Sequence, residues 1–277
     1  MDKRTALIIV DVQNDFCKGG SLAVNEANDI IPLINRLRES PIFHKVILTR
    51  DWHPQTHGSF AANNPGQKLF TLFKLPDTGV DQMMWPTHCV QGTTGAKFHP
   101  ELIVRSSDTI VSKGTYERID SYSGFGSYPE VTDLERILRE SQIERVYCVG
   151  LAYDYCVGST AVDAAARNFE TFLIRDATRS VSTESEQTMT ARLNSVGVKI
   201  IHSEQLNIPS LKRGDSRSQY SPPIQNPVRK ISAQVDEDER CFCIGGESTN
   251  NYDPYDHLPV SKEEDTEREG EFSAVGW

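Results

Sequence analysis

The sequence predicts an α/β protein of three layers, a mainly parallel sheet with helices on both faces, followed by a polar tail. Three observations carry this. Short, almost continuously apolar, β-branched runs recur from Thr5 onward; segments with helical apolar spacing alternate with them; and the alternation stops near Asn207. Strands apolar on both sides belong in a sheet covered on both faces, and β-α-β repeats with right-handed crossovers make that sheet parallel. Ligands of such sheets bind beyond the carboxyl ends of the strands.

Thr5 to Val10 reads as the first strand and ends at Asp11, followed by the polar loop Q-N-D-F-C-K-G-G. Asn25 to Ser40 has helical spacing through Ile30, Ile31, Ile34 and Leu37. Lys45 to Thr49 is the next strand, running into R-D-W-H-P. Residues 54–100 lack periodicity and are rich in Gly, Pro, Asn, Gln and Thr, as in a functional loop or an insertion. Asp108 to Ser112 is a strand that ends at Lys113; Tyr116 to Tyr128 is a polar aromatic loop; Thr132 to Ser141 is a helix with Leu134, Ile137 and Leu138 inward. From Val146 a buried strand runs to a break at Gly150, turns, and continues as an Ala-rich helix whose first turn carries Cys156. A strand at Thr171 to Arg175, a helix at Glu184 to Val196 and a strand at Val198 to His202 complete the pattern.

Two regions follow: a domain over 1–206 and a tail over 207–277, which holds six of the fourteen prolines. The first part of the tail is basic and the rest strongly acidic, a composition expected of a disordered segment. A net charge of −10 argues against nucleic-acid or anionic-membrane partners. The N-terminus lacks the apolar length and small-residue cleavage site of a signal peptide, and no transmembrane run follows. The six cysteines show no dense disulfide pattern, so an intracellular protein with reduced thiols is expected. Cys241 and Cys243, one residue apart with no second pair nearby, are a weak metal motif.

Asp11, Lys113 and Cys156 each follow a predicted strand, and in a parallel sheet those ends converge on one rim. A cysteine at a helix start is set among unpaired N–H groups and the positive end of the dipole, which favour thiolate and can hold an oxyanion. The carboxylate can take the thiol proton and return it to a leaving amine, while the ammonium steadies both. A second cluster, Asp51 and His53 with His88, offers one carboxylate and two imidazoles, a set suited to a divalent metal, and His57 lies near in sequence. The aromatics Phe16, Trp52, Trp85 and Tyr122 sit in the same loops, where a flat ring could be sandwiched.

The motifs D-V-Q-N-D-F at 11–16, D-W-H-P at 51–54, W-P-x-H-C at 85–89, S-K-G-x-x at 112–116 and G-L-A-Y-D-Y-C-V at 150–157 occur in order. The stretch 5–206 thereby resembles the nicotinamidases of the isochorismatase-like cysteine hydrolase superfamily. The resemblance implies that Asp11, Lys113 and Cys156 form a catalytic triad and that Asp51, His53 and His88 bind a metal, with His57 a candidate fourth ligand. It also implies an oxyanion hole from the backbone N–H groups of Ala152 and Cys156, a cis peptide at Leu151–Ala152, and a pyridine pocket walled by Phe16, Leu22, Trp85, Tyr122 and Tyr155. The implied reaction is hydrolysis of nicotinamide to nicotinate and ammonia through a thioester, in NAD salvage, with zinc the first expectation and iron or manganese also suited. A different amide or carbamoyl substrate, and a non-catalytic ligand-binding protein, are the rival readings. The sequence leaves the oligomeric state, including a homo-oligomer, open.

Overall fold

The computed structural model describes residues 3–206; the tail predicted from 207 onward, with Cys241 and Cys243, lies outside the described residues. Strand β1 (Thr5–Val10) is buried along its whole length. Side chains alternate across a strand, so Leu7 and Ile9 join one apolar layer while Ala6, Ile8 and Val10 join the other. The first layer receives Ile31, Ile34 and Leu37 from helix α1 (Ile31–Leu37). The second receives helices α2 (Leu134–Glu140), α3 (Gly158–Ala166) and α4 (Thr183–Ser195), through residues such as Leu138, Ala161 and Leu193.

Seven further strands follow in the chain: β2 (Lys45–Asp51), β3 (Leu72–Lys74), β4 (Asp81–Met83), β5 (Thr109–Lys113), β6 (Arg145–Leu151), β7 (Glu170–Arg179) and β8 (Lys199–Ile201). Five of them with β1 give a six-stranded sheet in the order β5-β2-β1-β6-β7-β8, every pairing parallel, and the other two form the separate antiparallel pair β3-β4. The chain winds outward from β1 in one direction and from β6 in the other, so the topological switch point lies between these two central strands. Register brings the critical ends level: Val10 pairs with Thr49 and with Gly150, and Asp51 with Lys113. Gly150, at φ 112°, lets β6 pass β1 there, since a Cβ would stand 2.1 Å from the Val10 carbonyl oxygen.

Four expectations are corrected in detail. The helix expected over Asn25 to Ser40 is a short 3₁₀ turn, Ala27–Ile30, and then α1, because Pro32 has no N–H to give and fits only the first turn of an α-helix. The aperiodic stretch 54–100 carries a 3₁₀ turn and the β3-β4 hairpin. The strand expected to stop at Arg175 runs to Arg179, since a register shift between Cys148 and Gly150 lets Thr178 and Arg179 pair with Gly150 and Leu151, extending β6 past its expected break. Cys156 lies within a single π-helical turn, Tyr153–Val157, that precedes α3. No helix among the described residues is long and apolar enough to cross a membrane.

Candidate active site

Asp11 is the first residue beyond β1 and adopts φ 49°, a left-handed conformation that an Asp side chain tolerates better than most. Its N–H donates to the Thr49 carbonyl (3.2 Å), and the Thr49 hydroxyl donates to its Oδ1 (2.6 Å), so β2 fixes both ends of the residue. Lys113, the last residue of β5, is fully buried. Its Nζ donates to Asp51 Oδ1 and to the Ser121 carbonyl (3.0 Å), and lies 2.9 Å from Asp11 Oδ2 and 3.3 Å from Cys156 Sγ. Cys156 is held by its turn: the Thr160 hydroxyl donates to the Cys156 carbonyl (2.7 Å) and accepts the Gly124 N–H (2.8 Å). The three residues singled out from strand ends therefore meet around one ammonium.

Electrostatics follow from burial and that ammonium. Burial raises the Asp11 pKa to about 6, with Lys113 opposing. Burial works against the Lys113 charge, yet Asp11 and Asp51 hold its pKa well above the usual lysine range. Burial also pushes the Cys156 thiol well above its ordinary value, with Lys113 pulling it down and Asp11 pushing it up. At 6 % exposure, desolvation works against the thiolate that a helix-start position favours, and Lys113 works for it.

Beside this triad, Asp51, His53 and His88 each offer a ligand atom within 4.8 Å of the others. Each histidine spends its Nδ1 on a neighbour. His53 Nδ1 meets the Gly114 carbonyl (2.8 Å), His88 Nδ1 the Pro86 carbonyl (2.8 Å) and His57 Nδ1 the Ser59 hydroxyl (2.8 Å). Donation from Nδ1 to a carbonyl leaves Nε2 with its lone pair, the arrangement metal-ligating histidines show. The Nε2 atoms of His53 and His57 are buried with no hydrogen-bond partner, and those of His53 and His88 lie 3.6 and 3.9 Å from Asp51 Oδ2. Burial, aided by His53, lowers His57 and His88 to about 4, which keeps them neutral as ligands must be. At His53 burial is outweighed by Asp51 and the pKa rises. Burial opposes ionisation of Asp51, but Lys113 and His53 hold its carboxyl far below the usual range. Orphaned imidazole nitrogens facing an ionised carboxylate fit a divalent cation.

Gln13 was not singled out from the sequence although it lies in the first motif. Its Nε2 donates to the Asp51 and Ala96 carbonyls (2.8 and 2.9 Å) and its Oε1 accepts the Asp51 N–H (2.8 Å), fixing the backbone of the shared carboxylate. Gly114, at φ 63°, leaves room for the His53 ring, which a Cβ would meet at 2.4 Å.

A pocket lined mainly by apolar and aromatic side chains opens onto both clusters. Phe16, Leu22, Trp85, Tyr122, Tyr155, Ala152 and Cys156 line it, as do Val24, Asp120 and Val181, which sequence reasoning missed. Trp85 and Tyr155 meet edge to face at 4.9 Å, and the Trp85 Nε1 donates to the Tyr122 hydroxyl (3.0 Å). Trp52 is not among the lining residues; its ring receives the Arg50 guanidinium at 3.9 Å. The Leu151–Ala152 peptide is cis, and the Ala152 carbonyl accepts the N–H groups of Tyr155 and Val157.

A doubly wound sheet that gathers a buried thiol, acid and ammonium at its switch point, next to a ring of imidazoles, has the makings of a cysteine hydrolase with a metal subsite. The chain belongs to the Isochorismatase domain family, whose description matches residues 5–205. It is similar to the nicotinamidase of Acinetobacter baylyi, 44 % identical over 178 residues that span 64 % of this chain and 81 % of that one. It is also similar to the solved structure of a Pyrococcus horikoshii pyrazinamidase in complex with zinc (38 % identity, TM-score 0.60, covering 72 % of this chain and 99 % of that one). A third likeness is to the yeast nicotinamidase bound to the inhibitor nicotinaldehyde (30 % identity, TM-score 0.67, 72 % and 99 % covered).

Proposed function

We propose that this protein is a nicotinamidase, hydrolysing nicotinamide to nicotinate and ammonia through a thioester on Cys156 and so serving NAD salvage inside the cell. The observation that carries the reading is the ammonium of Lys113 within 2.9 Å of Asp11 and 3.3 Å of Cys156, with Cys156 lining a pocket walled by aromatic side chains. Kinship with enzymes named nicotinamidase supports the choice of substrate.

Phe16, Leu22, Trp85, Tyr122 and Tyr155 hold the flat ring and keep water out. Asp51, His53 and His88, with His57 beside them, would hold a divalent metal, zinc in first place. When bound, that ion supplies a Lewis acid for the pyridine nitrogen. Asp11 takes the proton of Cys156 as sulfur attacks the carboxamide carbon. The N–H groups of Ala152 and Cys156 face the oxygen as it becomes negative. Asp11 then gives its proton to the amide nitrogen, the C–N bond breaks and ammonia leaves. In the second half Asp11 removes a proton from water, hydroxide adds to the thioester carbon, and nicotinate departs as the thiol regains its proton. Lys113 stays charged throughout and offsets whichever of Asp11 and Cys156 is negative.

The test is ammonia release from nicotinamide by the purified full-length protein, set against Cys156→Ala; no difference between the two would sink the proposal. Equal turnover by chelator-stripped and untreated protein would favour a different amide or carbamoyl substrate. Because Asp11 must be ionised to start the reaction and its pKa is raised to about 6, kcat/KM is expected to rise with pH through about 6 on its acid side. An acid limb near the ordinary carboxyl value, about 4, would contradict Asp11 as the base. Truncation after Leu206 is expected to leave kcat and KM nearly unchanged, since both clusters and the last strand precede that point; a severalfold change in KM would make the tail part of the working enzyme.

A further inference from the structure

Three recesses meet at Val181. One is the pocket that Cys156 lines. A second, open groove lies between the β3-β4 hairpin and α4, and Phe70, Leu72 and Met83 supply its apolar wall. A third is lined by residues 21–25 and by Phe70. Among the described residues, Val181 alone lines all three. Between the pocket and the groove it has two companions, Trp85 and Tyr155. These two rings meet edge to face at 4.9 Å, and Trp85 also donates to the Tyr122 hydroxyl (3.0 Å), so moving one disturbs the others. Val181 has no such ties through its side chain and is the replaceable part of the partition.

Its backbone, by contrast, is firmly held. The Val181 N–H donates to both carboxylate oxygens of Asp154 (3.0 and 2.9 Å), the Ser182 N–H donates to one of them (3.1 Å), and the Ser182 hydroxyl caps α4 by accepting the Ser185 N–H (3.1 Å). Asp154 belongs to the same π-helical turn as Tyr155 and Cys156. Backbone contacts therefore set where residue 181 stands relative to the nucleophile, and the size of its side chain sets how far the ring pocket is closed off from the groove. An apolar wall on the far side rewards a hydrocarbon group that reaches it. We propose that Val181 is the size limit of this site, and that a smaller residue there admits heteroaromatic carboxamides whose ring carries an apolar substituent, the substituent passing into the groove. This rests on the amidase reading above for its chemistry and adds the residue that bounds the substrate class.

The experiment compares full-length parent, Val181→Ala and Val181→Thr on nicotinamide and on nicotinamides carrying a phenyl group at C4, C5 or C6, and reads kcat/KM for each substituted ring relative to the plain one. Val181→Ala is expected to raise that ratio by about 10–100-fold for at least one position of the phenyl group, the scale on which a methyl-sized change in an apolar pocket discriminates. Val181→Thr, of nearly the same size, should keep the parent's ratio. At 38 % exposure the Val181 side chain contributes little to the core, so both variants are expected to melt close to the parent. A ratio unchanged by Val181→Ala at all three positions would overturn the proposal, as would an equal gain in Val181→Thr, which would make polarity rather than size the cause. Parent protein that releases no ammonia from nicotinamide would sink the proposed activity instead. The role of Val181 would then be decided by calorimetry in a Cys156→Ala background, with the same ratio read from Kd, and rings that bind none of the variants would overturn it.

Discussion

Cys156→Ser is expected to abolish turnover while shifting stability by less than about 1 kcal/mol. Burial already holds the thiol well above its ordinary pKa, and the neighbouring base sits at about 6, so proton transfer to Asp11 runs uphill even from sulfur. A hydroxyl is far harder to ionise, and nothing in the site compensates: the same single ammonium would serve both. The two side chains are close in size, and the turn is held through the Cys156 backbone by Thr160, so folding is not at stake. Retention of more than a few per cent of the parent kcat, an order-of-magnitude threshold set by typical losses of nucleophiles, would remove Cys156 from that role.

Lys113→Met is expected to reduce kcat on the order of 10³-fold or more and to cost about 3–5 kcal/mol in stability, the range for breaking a buried ion pair at one partner. Methionine preserves much of the volume but leaves Asp11 and Asp51 buried without their common cation. The sign of each shift is fixed. Lys113 lowers the pKa of both Asp11 and Cys156, so its removal raises both, leaving Asp11 more protonated at neutral pH and Cys156 harder to ionise. Iodoacetamide labelling of Cys156 should therefore begin at higher pH in the variant. An unchanged labelling profile would eliminate the electrostatic role, and a denaturant midpoint equal to the parent's would eliminate the structural one.

The triad was legible in the sequence because three of its signals are topological. Asp11, Lys113 and the turn bearing Cys156 each follow a strand, and parallel strands deliver their ends to one rim. The metal-type cluster was legible as a spacing, D-x-H, plus one distant histidine. What escaped detection depends on packing at a distance. Asp120 lies in an aperiodic loop and becomes notable only through its burial and poor hydrogen bonding. Val181 reaches the pocket from beyond β7, where no local pattern announces it. The electrostatics of Cys156 are only half legible for a related reason: helix position can be read from sequence, whereas desolvation depends on everything that closes over the site. Strands as short as β3 and β4 give too few residues for alternation to register.

The π-helical turn contributes twice to the site, since Cys156 belongs to it and so does Tyr155, a wall of the pocket, with Ala152 immediately before. Asp154, between them, accepts the N–H groups of Val181 and Ser182 and the Ser185 hydroxyl, anchoring the turn to the start of α4. Trp85, Leu22 and Tyr122, by contrast, come from separate loops. For divergence or redesign the two sides of the ring are therefore unequal. Exchanging residues on the loop side can widen or narrow the range of amides accepted while the chemistry is inherited intact, whereas any change around Tyr155 alters selectivity and reactivity together.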